Sequence, residues 1–507
     1  MDRRHFVKGT LLSSVALYAT PGSGLTGIDL PANHSPALHK RDPLFKIVDL
    51  DIGEDTTVLL ADGSEVIIKL KEVIEHRDSV FNTLVSTDVK LEINGLSANI
   101  ICGSYRLPVT VAGVQVDVQV VSGYMADAGT DWWMLKKAAR IRVWPGNSPW
   151  ITPGTFRYPV RQRWFASRTW FSNEPISPAS PGKVYYHAGM DFGSAEGLTE
   201  VIAATGGVIL SLGEDVYGTR HPAVKPRYDV IYVEDERGWI YRYSHFKSFD
   251  PLLAAGGKIK SGQRLGYTGK EGASGGWSHL HFHIESLQPS GEWGVQDSYA
   301  FLWQSYLEEY DPSVLAVARP HHKALPGETI ELDASRSWAR AGIRSYEWLF
   351  MDGTKDSGPV VKRAYDTPGT YSEIVKVTDK KGNFEYDFTR VTVYPRVQDK
   401  TKKSDPISIP NVHVAYFPTF NIGPGDPVIF LSRSRYDKTG GVDIYNFGDG
   451  TSPVEVPSNI DPGPHAANGY GMVVHHFKMP GNYIVRVETK DEDTGYTGVE
   501  HLHIVVE

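Results

Sequence analysis

Two histidine-rich stretches, His187-Ala-Gly-Met-Asp191 and His279-Leu-His281-Phe-His283, stand at the two ends of one strand-rich segment. A third histidine, His245, lies between them. Residues i and i+2 of a strand project to the same face, so His279 and His281 are expected to share one site. Neutral imidazole and carboxylate together suit zinc, and a catalytic zinc usually takes three protein ligands and keeps a fourth position open. A metal centre is therefore the first hypothesis to test, although an alternating histidine strand can also be a satisfied polar face.

Length and composition indicate a globular protein of several domains. At 507 residues the chain is too long for one core, and its length predicts three or four domains. The 50 Gly and 32 Pro residues favour short strands joined by turns. A formal net charge of -8 gives no indication of a nucleic-acid partner. The single cysteine, Cys102, excludes an intramolecular disulfide, and its apolar strand pattern favours a buried hydrophobe over a nucleophile.

The N-terminus carries an export pattern. It begins Met1-Asp-Arg-Arg-His-Phe-Val-Lys8, and an apolar run from Thr10 to Ala19 follows that is too short to span a bilayer. Paired arginines ahead of such a run resemble a twin-arginine signal, and the alternative is a frayed basic N-terminus. We therefore expect export from a bacterial cytoplasm to the periplasm, the cell surface or the medium. Membrane contact is expected only through an uncleaved signal.

Hairpin signals repeat in the next region. Alternating runs rich in Val and Ile flank the turns Asp62-Gly63, Asn94-Gly95 and Ala112-Gly113, which predicts an antiparallel β domain. A short helix is expected near Trp132 to Ala139. The stretch that follows is dense in Pro, Arg and aromatic residues, and a connector packed on two domains is favoured there over a binding surface.

The central region predicts short strands separated by Gly-rich or charged turns. Its one long loop runs from Gly213 to Arg227 and is expected to edge a cleft. Apolar residues at helical spacing, Tyr299, Leu302 and Tyr306, predict a helix from Ser298 to Glu309 that closes the domain.

Two copies of a weakly repeated β pattern follow from Asp311. The first contains Asp352-Gly353 and Pro368-Gly-Thr-Tyr371, and the second contains Asp449-Gly450 and Pro480-Gly-Asn-Tyr483. Both end in alternating valines. The copies resemble PKD-type immunoglobulin-like domains. The resemblance implies spacers, or modules that contact cell-surface glycan or protein, outside the catalytic chemistry.

The order of the central motifs is more specific than any one of them. Tyr243-Ser-His245 and Gly262-Gln-Arg-Leu-Gly266 lie between the H-x3-D element and the strand that begins Ser278-His279-Leu-His281. Over the stretch from Gly182 to Leu287 this order resembles the lysostaphin/LytM-type zinc endopeptidases.

That resemblance assigns roles to five residues. It implies that His187, Asp191 and His281 bind one zinc ion per chain. It also implies that His245 and His279 face the reacting water and the substrate carbonyl. His283 departs from the pattern, because the family commonly has Glu at this position. A hydrogen-bond partner or a packed histidine is favoured there over a fourth ligand, since coordination by both His281 and His283 would be strained.

We expect a mainly β protein, in which an antiparallel β-sheet metallopeptidase core is preceded by a β domain and followed by two immunoglobulin-like β-sandwiches. The resemblance implies an exported zinc endopeptidase that hydrolyses bonds in peptidoglycan stem or cross-bridge peptides. The alternatives are a secreted protease acting on Gly-rich proteins and a non-catalytic cell-surface scaffold that binds peptidoglycan. The expected boundaries are 1–23 for the export signal, 24–43 for a linker, 44–145 for the N-terminal β domain, 146–181 for the aromatic and Arg-rich bridge, 182–310 for the metallopeptidase domain, 311–394 for the first PKD-like domain, 395–410 for a linker and 411–507 for the second PKD-like domain.

Overall fold

The computed structural model describes residues 41–180, 183–396, 409–434 and 440–507. The predicted export signal, nearly all of the first linker and most of the second lie outside these residues. The described chain is mostly antiparallel β structure, which confirms the predicted fold class. No helix in these ranges has the length and apolar character needed to cross a membrane.

The N-terminal module, residues 44–145, contains two four-stranded antiparallel sheets. Its elements are β1 Lys46–Leu50, β2 Asp55–Leu59, β3 Glu65–Arg77, β4 Leu84–Ile93, β5 Leu96–Gly103, β6 Val109–Val111, β7 Val114–Val121, α1 Ser122–Asp127 and β8 Ala139–Pro145. One sheet has the order β2-β3-β4-β5 and the other β1-β8-β7-β6. The three predicted hairpins are confirmed, because β2 pairs with β3, β4 with β5, and β6 with β7.

The predicted helix from Trp132 to Ala139 is wrong. One carboxylate oxygen of Asp131 accepts the backbone N–H of Trp133 at 3.0 Å and that of Met134 at 2.8 Å. Met134 also has a φ of 52°, outside the helical range. A side chain that bonds to nearby backbone in this way competes with helix formation and holds a turn. The short helix α1 instead follows β7 directly.

The central region is built on a nine-stranded sheet that also takes a strand from the preceding bridge. Its elements are β9 Thr169–Phe171, β10 Pro175–Ser180, β11 Lys183–Tyr186, β12 Met190–Gly193, β13 Glu200–Ile202, β14 Gly207–Leu212, β15 Asp215–Val216, β16 Val230–Glu234, β17 Ile240–Ser244, β18 Phe246–Phe249, β19 Lys258–Ile259, β20 Arg264–Thr268, β21 His279–Leu287, β22 Trp293–Gln296 and α2 Tyr299–Tyr310. The main path is β15-β14-β16-β17-β21-β12-β9, with β19 beside β14 and β22 beside β21. The predicted closing helix is present as α2.

Along β21, side chains that face the apolar core alternate with side chains that face the candidate site. Leu280, Phe282 and Ile284 are buried in the apolar core together with residues of α2. The alternate positions project to the opposite face, and these include His281 and His283. The hydrophobic side of the strand therefore fixes the direction of its histidines.

The N-terminal module and the central region share their cores. Phe45 and Trp144 belong to the same apolar cluster as Phe282. In a second cluster, Val184 and Tyr186 pack with the two N-terminal sheets. Removing the N-terminal module would therefore expose apolar surface of the central region.

Two β modules complete the chain. The first contains β23 Val314–Leu315, β24 His322–Ala324, β25 Thr329–Asp333, β26 Trp338–Ala339, β27 Ile343–Leu349, β28 Lys355–Ser357, β29 Val360–Ala364, β30 Gly369–Asp379 and β31 Phe384–Val393. The second contains β32 Val412–Phe417, β33 Pro427–Ser434, β34 Gly441–Asn446, β35 Val454–Ser458, β36 Gly471–His476, β37 Gly481–Lys490 and β38 Thr497–Val506. A parallel contact between β30 and β38 joins their sheets into one of nine strands.

Candidate metal centre

The three predicted metal ligands converge on one point. Asp191 on β12 lies directly opposite His281 on β21, and the Oδ1 of Asp191 is 2.8 Å from the Nδ1 of His281. The Nε2 of His187 is 3.0 Å from that Oδ1 and 3.2 Å from that Nδ1. All three side chains are buried. One nitrogen from each histidine and one carboxylate oxygen therefore face a common position.

This donor set fits a zinc ion. Two imidazole nitrogens and one carboxylate oxygen are the ligand types that suit zinc at a catalytic site. Burial holds the pKa of His281 well below its usual value, so the imidazole is neutral and able to bind a metal. Burial alone would raise the pKa of Asp191, but interactions with His187 and His279 and a hydrogen bond with His281 hold it well below its usual value. The carboxylate is therefore ionised.

His279 and His245 flank the three ligands, each in a defined tautomer. The Nδ1 of His279 is 3.1 Å from the carbonyl oxygen of Trp277, and the Nδ1 of His245 is 2.7 Å from that of Glu271. A carbonyl only accepts, so both Nδ1 atoms carry the proton. The Nε2 of His279 lies 3.4 Å from the Oδ2 of Asp191. The ring centroids of His245 and His279 lie 4.6 Å apart. Burial lowers the pKa of His279 to about 3.

His245 is held by an ion pair that sequence reasoning missed. It has a φ of 73°, an uncommon backbone conformation for a residue with a side chain. Its backbone N–H donates to the Oδ2 of Asp229 at 3.0 Å, and Asp229 in turn binds Arg227 at 2.7 Å. Arg227 ends the long loop predicted to edge the cleft. Because the backbone at His245 leaves the strand conformation, residue periodicity in the sequence could not predict where this side chain lies.

His283 contacts the outer nitrogen of a ligand. The Nε2 of His281 is 2.9 Å from the Nδ1 of His283, and the Nε2 of His283 is 3.1 Å from the Oε1 of Glu285. Because the Nδ1 of His281 faces the metal position, the Nε2 of His281 carries the proton and donates to the Nδ1 of His283. The Nε2 of His283 in turn donates to the Oε1 of Glu285. This arrangement orients His281 and matches the interpretation of His283 as a hydrogen-bond partner. Burial raises the pKa of Glu285 to about 7.

A cavity of about 190 Å³ opens beside His281 and His245. Its walls include Trp132 from the N-terminal module and Tyr185 from β11. Arg242 of β17 also lines it. The N-terminal module therefore contributes directly to the surroundings of the candidate site.

The second C-terminal module holds the loop that leads into β21. The Tyr470 hydroxyl accepts the backbone N–H of Ser278 at 2.7 Å, and a guanidinium nitrogen of Arg433 donates to the carbonyl of Gly276 at 2.6 Å. Between these two contacts, Trp277 stacks on His279 with ring centroids 3.9 Å apart. The second module thus contacts the loop one residue before His279, while the expectation that both modules lie outside the catalytic chemistry stays a prediction.

Replacing Tyr470 with phenylalanine is expected to lower turnover about tenfold with little change in KM. It leaves the Ser278 N–H without its partner, a loss of about 1–3 kcal/mol for a buried donor, and frees the loop beside His279. Steady-state kinetics on a soluble peptide check this. Tyr483→Phe is the matched control, since Tyr483 donates to the Met479 carbonyl in an exposed part of the same module. Equal rates for the two variants would show that this contact is irrelevant to catalysis.

Family models match two parts of the chain. The model described as peptidase family M23 matches residues 185–292, which include all five predicted site residues. The PKD domain model matches residues 312–393. These matches confirm the predicted resemblance to M23-type peptidases with PKD-like modules.

Relatives and solved structures cover smaller or more distant parts. The Dyslexia-associated protein KIAA0319-like protein of Mus musculus is 37% identical over 93 residues, which are 17% of this chain and 9% of that relative. The PKD domain from KIAA 1837 protein is 22% identical and covers 17% of this chain and 92% of that domain, with a TM-score of 0.15. Csd3 of Helicobacter pylori is 13% identical and covers 51% of this chain and 82% of that structure, with a TM-score of 0.21. TM-scores this low carry no argument about function.

Proposed function

We propose that this chain, whose residues 185–292 form a peptidase family M23 domain, is an exported zinc-dependent endopeptidase that cleaves peptidoglycan stem or cross-bridge peptides. The observation that carries the proposal is the convergence of His187, Asp191 and His281, whose ligand atoms all lie within 4.8 Å of one another. The family match supports a peptidase. The twin-arginine-like N-terminus supports export.

The residues around this position provide the remaining chemistry of hydrolysis. Zinc held by His187, Asp191 and His281 would supply a Lewis acid that polarises the scissile carbonyl and activates water. The Nε2 atoms of His245 and His279 accept a proton from the attacking water or, once protonated, donate to the developing oxyanion. Their Nδ1 atoms are fixed by backbone carbonyls, so both rings keep this orientation during the reaction.

Digestion of purified sacculi tests the proposal. The zinc-loaded protein is expected to release soluble fragments whose masses show one added water per cleaved peptide bond. A chelator should stop the release, and added zinc should restore it. If the sacculi stay intact after incubation with the folded, zinc-loaded protein, the proposal is contradicted.

The N-terminal module is expected to restrict access to the site through Trp132. Trp132 lines the cavity beside His281. The backbone carbonyl of Trp132 accepts the N–H of Val295 at 2.9 Å, which connects this segment to β22. Trp132→Ala should therefore raise kcat/KM about tenfold for substrates with a bulky residue near the scissile bond. Trp132→Phe, which keeps an aromatic wall, is the control. Equal kcat/KM values for the two variants would remove this role for the module.

A further inference from the structure

An arginine beside the metal centre, Arg242, forms no ion pair within 4.0 Å with any carboxylate in the described part of the chain. Arg242 on β17 lies directly opposite His283, and Ser244 lies opposite His281. Directly opposed residues of antiparallel strands project to the same face, so Arg242 and His281 share the catalytic face of the sheet. Two residues along a strand span about 6 to 7 Å, which places Arg242 within one side-chain length of the metal ligand.

The guanidinium of Arg242 is oriented but not neutralised. Its Nε donates to the Ser244 hydroxyl at 2.9 Å, and its two terminal nitrogens make no hydrogen bond to the described residues. No carboxylate of the described residues lies within 4.0 Å of it. Arg227, the other arginine of the cavity, is instead paired with Asp229. The two terminal nitrogens of Arg242 are therefore available to a ligand.

The surroundings make this charge effective. Lys225 lies with its ammonium 5.8 Å from the ring of Trp132 and also has no carboxylate within 4.0 Å among the described residues. The nearby acid, Glu285, is hydrogen-bonded to His283. Burial raises the pKa of Glu285, and the charges of Lys225 and Arg242 act in the opposite direction from a longer distance than an ion pair. Apolar walls from Trp132, Tyr185 and Ala273 reduce competition from water. The cavity is thus lined by a guanidinium that has no carboxylate within ion-pair distance among the described residues.

We propose that this cavity binds a carboxylate of the substrate, with Arg242 as the residue that determines specificity for it. A guanidinium with both terminal nitrogens free matches the planar, bidentate geometry of a carboxylate. The spacing between Arg242 and His281 puts that carboxylate one or two residues from the scissile bond. The substrate class is therefore a peptide with a free carboxylate beside the cleaved bond, in contrast to a segment made of glycine alone. This inference rests on the proposed peptidase function of the same site.

The test compares one peptide in two forms. A soluble peptide from peptidoglycan is prepared with free carboxylates and, separately, with those carboxylates converted to amides. Calorimetry gives the Kd of each form for the zinc-free protein and its variants, and hydrolysis rates are measured after zinc loading. The unaltered protein is expected to bind the free-acid form at least about tenfold more tightly and to hydrolyse it with a correspondingly lower KM.

The variants assign that preference to one side chain. Arg242→Gln should remove it, and Arg242→Lys should restore part of it, because an ammonium keeps the charge without the planar fork. Arg264→Gln, which removes an exposed cation paired with Asp250 on another sheet, should leave it unchanged. Thermal midpoints establish that each variant is folded.

The outcomes separate the two proposals. Equal binding of the two forms by the unaltered protein, or a preference that survives in Arg242→Gln, would overturn the carboxylate site even if both peptides are hydrolysed. Preferential binding that depends on Arg242, without hydrolysis of either form by the zinc-loaded protein, would support the carboxylate site and contradict the endopeptidase function.

Discussion

His281→Ala is expected to abolish both zinc binding and activity. It removes one of three protein ligands and leaves His187 and Asp191, which are too few to retain the metal through dialysis. The thermal midpoint should fall as well, because metal binding stabilises the folded state. Zinc per chain after dialysis, set beside the hydrolysis rate, checks this result.

His279→Ala and His245→Ala are the matched comparisons. Neither side chain belongs to the converging ligand set, so both variants should keep close to one zinc per chain. Their rates should fall by about 10²-fold or more, the scale of losing a positioned acid-base or oxyanion partner. If His279→Ala sheds the metal while His281→Ala keeps it, the ligand assignment on β21 is reversed.

Gly189→Ala is expected to lower the free energy of unfolding by about 3 kcal/mol or more and to weaken zinc binding. Gly189 has a φ of 82°, and an added Cβ would lie 2.4 Å from the carbonyl oxygen of Phe282 and 2.4 Å from the Cβ of His283. Relieving that overlap requires β12 to move away from β21, and this pairing is what sets Asp191 opposite His281. Denaturant unfolding and zinc titration measure the two effects.

Gly291→Ala is the control that measures backbone strain without the steric overlap expected at Gly189. Gly291 has a similar φ of 80°, but an added Cβ there meets nothing within 4 Å. This control should lose only about 1 kcal/mol through strain and keep its zinc affinity. Comparable losses in the two variants would mean that close packing at Gly189 does not hold the metal ligands in place.

Local patterns were sufficient to predict the strands, whereas the choice of His187, Asp191 and His281 as ligands came from the family resemblance. The turn at Asn94-Gly95 fixes a hairpin because these residues accept positive φ, and the alternation in His279-Leu-His281 fixes which side chains share a face. The apolar spacing of α2 likewise predicted a helix correctly. In each case the information lies within a few residues of the element itself.

Features formed by distant parts of the chain could not be predicted in this way. Tyr470 reaches Ser278 from 192 residues further along the chain, and Trp132 enters the cavity from another module. The false helix near Trp132 shows the same limit at short range, because the bonds made by Asp131 outweigh a helix-like spacing. Such contacts depend on how sheets pack, which residue spacing does not encode.

Anomalous diffraction at the zinc absorption edge, from crystals of the zinc-loaded protein, tests the central claim most directly. We predict one strong peak per chain, bounded by the Nε2 of His187, the Oδ1 of Asp191 and the Nδ1 of His281, the atoms that already lie 2.8 to 3.2 Å apart. No peak at this position, or a peak held by other residues, would contradict the assignment of the metal centre and the function that depends on it.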